Sequence, residues 1–254
     1  MARIAVLCGT GMGAFRRNIS EIEGTSSYRI SIESEWGDVP VTILSNSNGE
    51  IMIIDRHHST DGSRTPPHSI EHRANVHAVA SFNPDLVVSI NSVGSMVEFM
   101  PPGIVGIASD VLDLSIRPWT FHDENAIHAD RTSPFDSGAM EICSGVLEKM
   151  QGSSPAEVIV AQCIGPQFES PSEINALQKL GAHVVGMTLG PESRLVAEIS
   201  LPHIAIPCSS NWAAGKNPEN PEAPIDHLSV ESMASQMHDL LSSCILALLS
   251  ELGG

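Results

Sequence analysis

An α/β fold is what this sequence predicts, and three observations carry it. Short apolar runs rich in Val and Ile alternate along the chain with runs of helical period. Most of the apolar runs end in small polar residues or glycine, as strands do where they leave a sheet for a loop. One helix start is spelled out in full. Ser170-Pro171-Ser172-Glu173 has the order of a capping box, with a hydroxyl N-cap, proline at the first helical position and Glu at the third.

The elements follow in order. "RIAVLCG" opens as a strand, and "VPVTILS" with "IMIIDR" reads as a hairpin around Asn46-Ser47-Asn48-Gly49. "SIEHRANVHAVASF" reads as a helix that stops before the turn and strand "NPDLVVSINSVG". "GIVGIASDVLDL" is a strand, "GAMEICSGVLEKM" a helix, "AEVIVAQCIG" a strand and "PSEINALQKLG" a helix closed by Gly181. "AHVVGMT", "GPESRLVAEIS", "PHIAIPCSS" and one long C-terminal helix from about Ser229 complete the pattern. There is no internal repeat. The Pro/Asn/Glu stretch from Gly215 to Pro224 reads as a loop, since too little chain follows it to form another domain. Residues 1–254 are expected to form a single α/β domain, and 254 residues suffice for a proper core.

Composition excludes several function classes. With 42% hydrophobic residues the chain is globular, and it holds no long uncharged apolar run for a membrane span. Met1-Ala2-Arg3-Ile4 leads straight into a strand, so no signal peptide is expected. The formal net charge is −17, and only three of the thirteen basic residues are lysines, which argues against nucleic acid or an acidic membrane as partner. Cys8, Cys143, Cys163, Cys208 and Cys244 are odd in number and lack C-x-x-C spacing, so neither a disulfide scaffold nor a zinc knuckle fits. Buried, reduced thiols in a cytoplasmic protein are expected.

Five segments could carry chemistry, each with a plainer alternative. "CGTGMGA" satisfies a relaxed G-x-G-x-x-A through Gly9, Gly11 and Ala14, with Glu33 about where a ribose-binding acid would stand. A dinucleotide fold, a glycine turn holding one phosphate on its amides and Thr10, and a plain tight turn all remain open there. Arg56, His57, His58, His68, His72 and His77 form a histidine-rich stretch. It contains no H-x-H or H-E-x-x-H, so a metal is the minor reading, and an arginine at a strand end suits an oxyanion better. "SINSVGSM" puts Asn91, Ser92 and Gly94 at a strand exit, where backbone could approach a ligand closely. "GMTLGPE" ends a strand with Met187 and Thr188, although a lone Met there is more often core. "CSSNWAAGK" ends the last strand in Asn211, a residue that more often simply forms a turn. Phe168 and Glu169 lie in the loop between a strand and the capping box, and α/β sheets bind ligands at such ends.

Read in order, "CGTGMG", "RHH" with "RTPPHSIEHRAN", "NSVGSM", "RPWTFHD", "GPQFESPSE", "LGAHVVGMTLGPESRLVAE" and "SSNWAAGK" resemble the trimeric purine nucleoside phosphorylase and methylthioadenosine phosphorylase family, over most of the chain. The resemblance implies a central mixed, twisted β-sheet flanked by helices, and a homotrimer or dimer of trimers with active sites near subunit contacts. It implies cleavage of a purine nucleoside by inorganic phosphate, giving free base and ribose-1-phosphate, with no metal or organic cofactor. Thr10, Arg56, His57, Asn91, Ser92 and Thr188 match the family's phosphate site. Phe168, Glu169, Met187 and Asn211 match its nucleoside site, with Asn211, Glu169 and His57 in the catalytic roles. The branch that accepts 6-oxopurines has Phe-Glu in this loop and Asn at the last strand end, whereas the adenine-specific branch has a small hydroxyl residue and Asp. Phe168, Glu169 and Asn211 therefore resemble the 6-oxopurine branch.

The chemistry agrees with that assignment. Hypoxanthine carries a proton on N1 that a Glu169 carboxylate can accept, and Asn211 can donate to O6 and accept from N7–H. Adenine would leave the carboxylate facing a bare N1, a mismatch of about 1–3 kcal/mol. At the sugar's 5′ end, the family's methylthio-nucleoside enzymes have apolar residues where its inosine and guanosine enzymes have a histidine. Val230 matches the deciding position, with Leu228 and Met233 beside it, and His128 matches a residue lent by the neighbouring subunit. This combination resembles a methylthioinosine phosphorylase. The chain departs from the family pattern at Ile164, where an acidic or polar residue is usual, and at Asn91-Ser92. Two extra residues between Arg56 and Pro67 leave both His57 and His58 as ligand candidates. Competing readings are a methylthioadenosine phosphorylase, a non-catalytic nucleoside binder, a metal-dependent hydrolase and a dinucleotide oxidoreductase.

Overall fold

The computed structural model describes residues 1–9, 19–20, 24–59 and 63–254. Nine strands form one mixed sheet among these residues: β1 (Ala2–Cys8), β2 (Ser26–Ile32), β3 (Val39–Asn46), β4 (Gly49–Asp55), β5 (Leu86–Ser95), β6 (Ile107–Asp113), β7 (Glu157–Gln162), β8 (Val184–Gly186) and β9 (His203–Trp212). The order is β2-β3-β4-β1-β5-β8-β7-β6, with β9 also paired to β5. The six described helices are α1 (His72–Phe82), α2 (Ser137–Gln151), α3 (Pro171–Lys179), α4 (Leu189–Glu198), α5 (His227–Ser235) and α6 (His238–Gly253). No helix among the described residues is long and apolar enough to cross a membrane.

The strand directions explain where polar side chains gather. β1 runs parallel to β4 and to β5, and β5 runs parallel to β9, so Cys8-Gly9, Asp55-Arg56, Asn91-Ser92 and Asn211 all lie toward the C-terminal ends of neighbouring strands, Asn91-Ser92 and Asn211 still within β5 and β9. β8 runs antiparallel to β5, pairing Gly94 with Val185, and this reversal returns Met187 and Thr188 alongside Asn91. A bulge places Ser210 as an extra residue in β9 opposite Val93/Gly94. It turns the Asn211 side chain over Gly94, where a Cβ would lie 3.2 Å from the Asn211 amide nitrogen. Apolar residues on the two sheet faces pack under α2 and α6 on one side and α1 on the other.

Two elements differ from expectation. β2 has no apolar run to announce it. Its residues "SSYRISI" are exposed at nearly every position, and it stands as an edge strand held by its ladder to β3. The C-terminal helix is two helices: α5 starts from an Asp226 N-cap bonded to the Ser229 amide, and the chain breaks at Gln236-Met237, where Met237 is buried.

Candidate active site

The strand ends and two loops enclose a cavity of about 400 Å³, of a size suited to a small ligand. Arg56, His57, Ser92, Phe168, Glu169, Met187, Thr188, Asn211 and Val230 all line it. Residues far apart along the chain thus meet at one place.

At one end, Arg56 is built into the protein. Its Nε donates to Glu192 Oε1 (2.5 Å), Nη2 donates to Glu192 Oε2 (3.2 Å) and to the Leu7 carbonyl (2.7 Å), and Nη1 donates to the Ile90 carbonyl (2.8 Å). Arg56 is 2% and Glu192 0% exposed, a buried pair whose partners stand 136 residues apart. Gly9 is needed beside it, because a Cβ there would fall 2.8 Å from Arg56 Nη1 and 3.1 Å from His57 Nε2.

The two adjacent histidines have separate tasks. His57 Nδ1 lies 2.8 Å from the Thr65 carbonyl, which can only accept, so Nδ1 carries the hydrogen and Nε2 presents a lone pair. Burial, and secondarily the nearby arginine charges, push the His57 pKa down to about 4, so the ring is neutral near pH 7. His58 Nε2 instead meets Asn75 Oδ1 at 2.9 Å, while Asn75 Nδ2 donates to the Arg56 carbonyl (3.4 Å). Of the two, His57 lines the cavity. The rest of the histidine-rich stretch disperses: His72 is buried edge-on against Trp119 and His77 packs near Trp36. Among the described residues no three His, Cys, Asp or Glu side chains are grouped to hold a metal ion.

Thr188 begins α4 without making a side-chain cap bond. Its Oγ1 accepts from Asn91 Nδ2 at 2.9 Å, leaving its own hydrogen to donate. Asn91 is a correction to the expected contact set: it is buried behind Thr188 rather than on the cavity wall. Thr10, Gly11 and Ala14 lie outside the described residues.

At the opposite end, the capping box of α3 is complete: Glu173 N donates to Ser170 Oγ (3.4 Å) and Ser170 N donates to Glu173 Oε2 (2.7 Å). It fixes the exit of the loop that carries Phe168 and Glu169 to the cavity. Burial raises the Glu169 pKa above the ordinary carboxylate value, and the Cys163 thiol beside it opposes that shift. The thiol is itself pushed up to about 12, by burial first and then by Glu169. Asn211 Nδ2 donates to the Trp212 carbonyl (2.9 Å) and Oδ1 lies 3.0 Å from Ser210 Oγ, which holds the amide plane yet leaves one N–H and one lone pair.

The third wall corrects the expected apolar set. Val230 is buried against the cavity, but its companions are Ile225 and His227. Leu228 turns away, 73% exposed, and Met233 packs against the core with its sulfur 3.7 Å from a Cβ built on Gly103. His128 lies in a separate cavity with Asp130, Ser133, Glu198 and His203, away from this chain's own site. Sequence reading passed over Arg64, Thr65, Asn75, Glu192, Ile225 and His227. The motifs containing Asn75 and Glu192 were visible, but nothing local shows that both serve Arg56.

A family model described as the phosphorylase superfamily matches residues 3–246. The chain belongs to the phosphorylase superfamily. Within this superfamily it is 32% identical over 242 residues to a probable S-methyl-5′-thioinosine phosphorylase of Methanothermobacter thermautotrophicus, covering 94% of this chain and 80% of the relative. It is 29% identical to a 6-oxopurine nucleoside phosphorylase of Pyrococcus furiosus, covering 85% of this chain and 81% of that one. Its fold matches methylthioadenosine phosphorylase from Schistosoma mansoni, crystallised with adenine, at a TM-score of 0.85 and 18% identity, over 100% of this chain and 92% of the other. The mixed α/β architecture expected from the sequence is therefore the fold of nucleoside phosphorylases.

Proposed function

We propose that this protein cleaves the glycosidic bond of a 6-oxopurine nucleoside with inorganic phosphate, releasing the purine and a ribose-1-phosphate. The single observation that carries the reading is that Glu169 and Asn211, 42 positions apart (211 − 169), line the same cavity as Arg56, His57 and Thr188. One end suits the N1–H, O6 and N7 edge of a keto purine, and the other suits an oxyanion. The relatives named for methylthioinosine and 6-oxopurine nucleosides support it.

In this reading phosphate accepts from Thr188, Ser92 and the free Nη1 hydrogen of Arg56, and its own O–H donates to the His57 Nε2 lone pair. Thr10, outside the described residues, is kept as a further proposed donor. As the C1′–N9 bond breaks, its electron pair moves onto the purine and the sugar becomes oxocarbenium-like. A phosphate oxygen closes on C1′, and the proton lost from hydrogen phosphate ends on a purine nitrogen. Asn211 accepts from N7–H and donates to O6, and Glu169 accepts from N1–H. Donors aimed at such developing charge are worth about 3–4 kcal/mol each. The reaction as drawn calls for phosphate as co-substrate and for no organic cofactor or metal. Five free thiols suit a reducing cytoplasm. A trimer in which His128 serves a neighbouring site is part of the same proposal.

The 5′ wall favours neither substrate alone. Ile225 and Val230 suit a methylthio group, while His227 suits a hydroxyl, which keeps inosine beside methylthioinosine as a candidate. The deciding experiment measures base release from methylthioinosine, inosine, guanosine and methylthioadenosine, with and without phosphate. Phosphate-dependent release from the 6-oxopurine nucleosides is expected. Release without phosphate, or a preference for methylthioadenosine, would sink the reading.

A further inference from the structure

We infer that Arg64 supplies the positive charge that meets bound phosphate, an inference that rests on the phosphorolytic reading above. It follows from the charges at the phosphate end of the cavity. Four of the five N–H bonds of Arg56 point at protein acceptors, and its charge is matched by the fully buried Glu192 carboxylate. His57 gives its Nδ1 hydrogen to Thr65 and faces Gly9 with a lone pair. Ser92 and Thr188 are uncharged. Apart from His57, whose lone pair can only accept from a phosphate O–H, these groups offer hydrogen bonds to an oxyanion but no net charge, and a dianion leaving water for a cavity needs both.

Among the described residues lining the cavity, Arg64 is the other guanidinium. Its backbone is anchored close to the site: Thr65 N donates to the His57 carbonyl (2.9 Å) and Thr65 Oγ1 to the His58 carbonyl (2.7 Å). Its head group is lightly held. One 3.4 Å contact joins it to Asp55, with side chains 49% and 48% exposed. Half-solvated pairs of this kind contribute little, so the arginine can exchange Asp55 for a phosphate oxygen at little cost. Arg56 then serves as a fixed wall and Arg64 as the adaptable cation. A guanidinium suits the role because its planar fork grips two phosphate oxygens at once.

The test uses the full chain with Arg64→Gln and Arg64→Lys, varying inorganic phosphate and nucleoside separately. Arg64→Gln should raise the phosphate KM about tenfold and leave the nucleoside KM within about twofold. Its phosphate KM should also depend less steeply on ionic strength. Inorganic phosphate alone should raise the melting temperature of the wild type more than that of Arg64→Gln, while the melting temperatures without phosphate coincide. Arg64→Lys, keeping the charge, should recover most of the loss. An unchanged phosphate KM in Arg64→Gln, a nucleoside KM rising in step with it, or a lysine variant as weak as the glutamine one would overturn the inference. A wild type that needs no phosphate would instead overturn the parent reading.

Discussion

Glu169 shows what one residue can and cannot reveal. Its place just before a capping box was readable, because proline and Glu at fixed offsets mark a helix start whatever the fold. Its raised pKa was not readable, because burial comes from other segments of the chain. The sign matters for activity. Accepting N1–H needs the ionised form, and burial favours the neutral one, so the acid limb of kcat/KM should sit above the range of an ordinary glutamate. Activity on a 6-oxopurine nucleoside should fall as pH drops through that raised value. Glu169→Gln should abolish this limb and lower kcat/KM for inosine by about 10–100-fold, as expected when a buried partner is mismatched. A pH profile of kcat/KM for both proteins checks it, and an acid limb unchanged in the variant would assign it to another group. Arg56 teaches the same lesson. Its cationic nature was plain, while its pairing with Glu192 came only from folding, as did the division of work between His57 and His58.

Secondary elements were most legible where local chemistry sets their ends. α3 has its capping box and α2 its Asp136 N-cap and left-handed Gly152 C-cap. β2 was missed because an exposed edge strand needs no apolar face, and the break between α5 and α6 was missed because apolar periodicity continues through it. The α3 cap also bears on the site, since it anchors the loop holding Phe168 and Glu169. Ser170→Ala should lower stability by about 1 kcal/mol. It should raise the nucleoside KM while leaving the phosphate KM alone, because the phosphate end hangs on β1, β4, β5 and α4. Denaturant midpoints and steady-state kinetics measure both effects, and a rise in phosphate KM would show that the two ends are not held separately.

At the scale of the whole molecule, three buried histidines couple folding to pH. Burial pushes His57 to about 4, His203 to about 3 and His72 well below its ordinary value. The unfolded chain protonates each near pH 6.5, so below that point it binds more protons than the folded chain. Their contribution is complete above about pH 6.5 and is lost as pH falls toward 3–4, at up to about 1.4 kcal/mol per pH unit per histidine. Glu169, with its raised pKa, acts in the opposite sense as one group against three. The urea midpoint should therefore drop between pH 7 and pH 5. A midpoint that holds steady or climbs would mean the histidines are solvated.

The sequence by itself determined the α/β class, the main strands and helices, the loop bearing Phe168 and Glu169, and the acidic character of the chain. These depend on periodicity, end chemistry and composition, which act within a few residues or over the sum of all of them. Only the tertiary structure decided that Asn91 stands behind Thr188, that His227 shares a wall with Val230, that His128 faces another cavity, and that Arg56 is neutralised by Glu192. The physical reason is that burial and pairing are properties of neighbours in space. In this chain the neighbours that matter come from strands whose order and direction no single segment encodes.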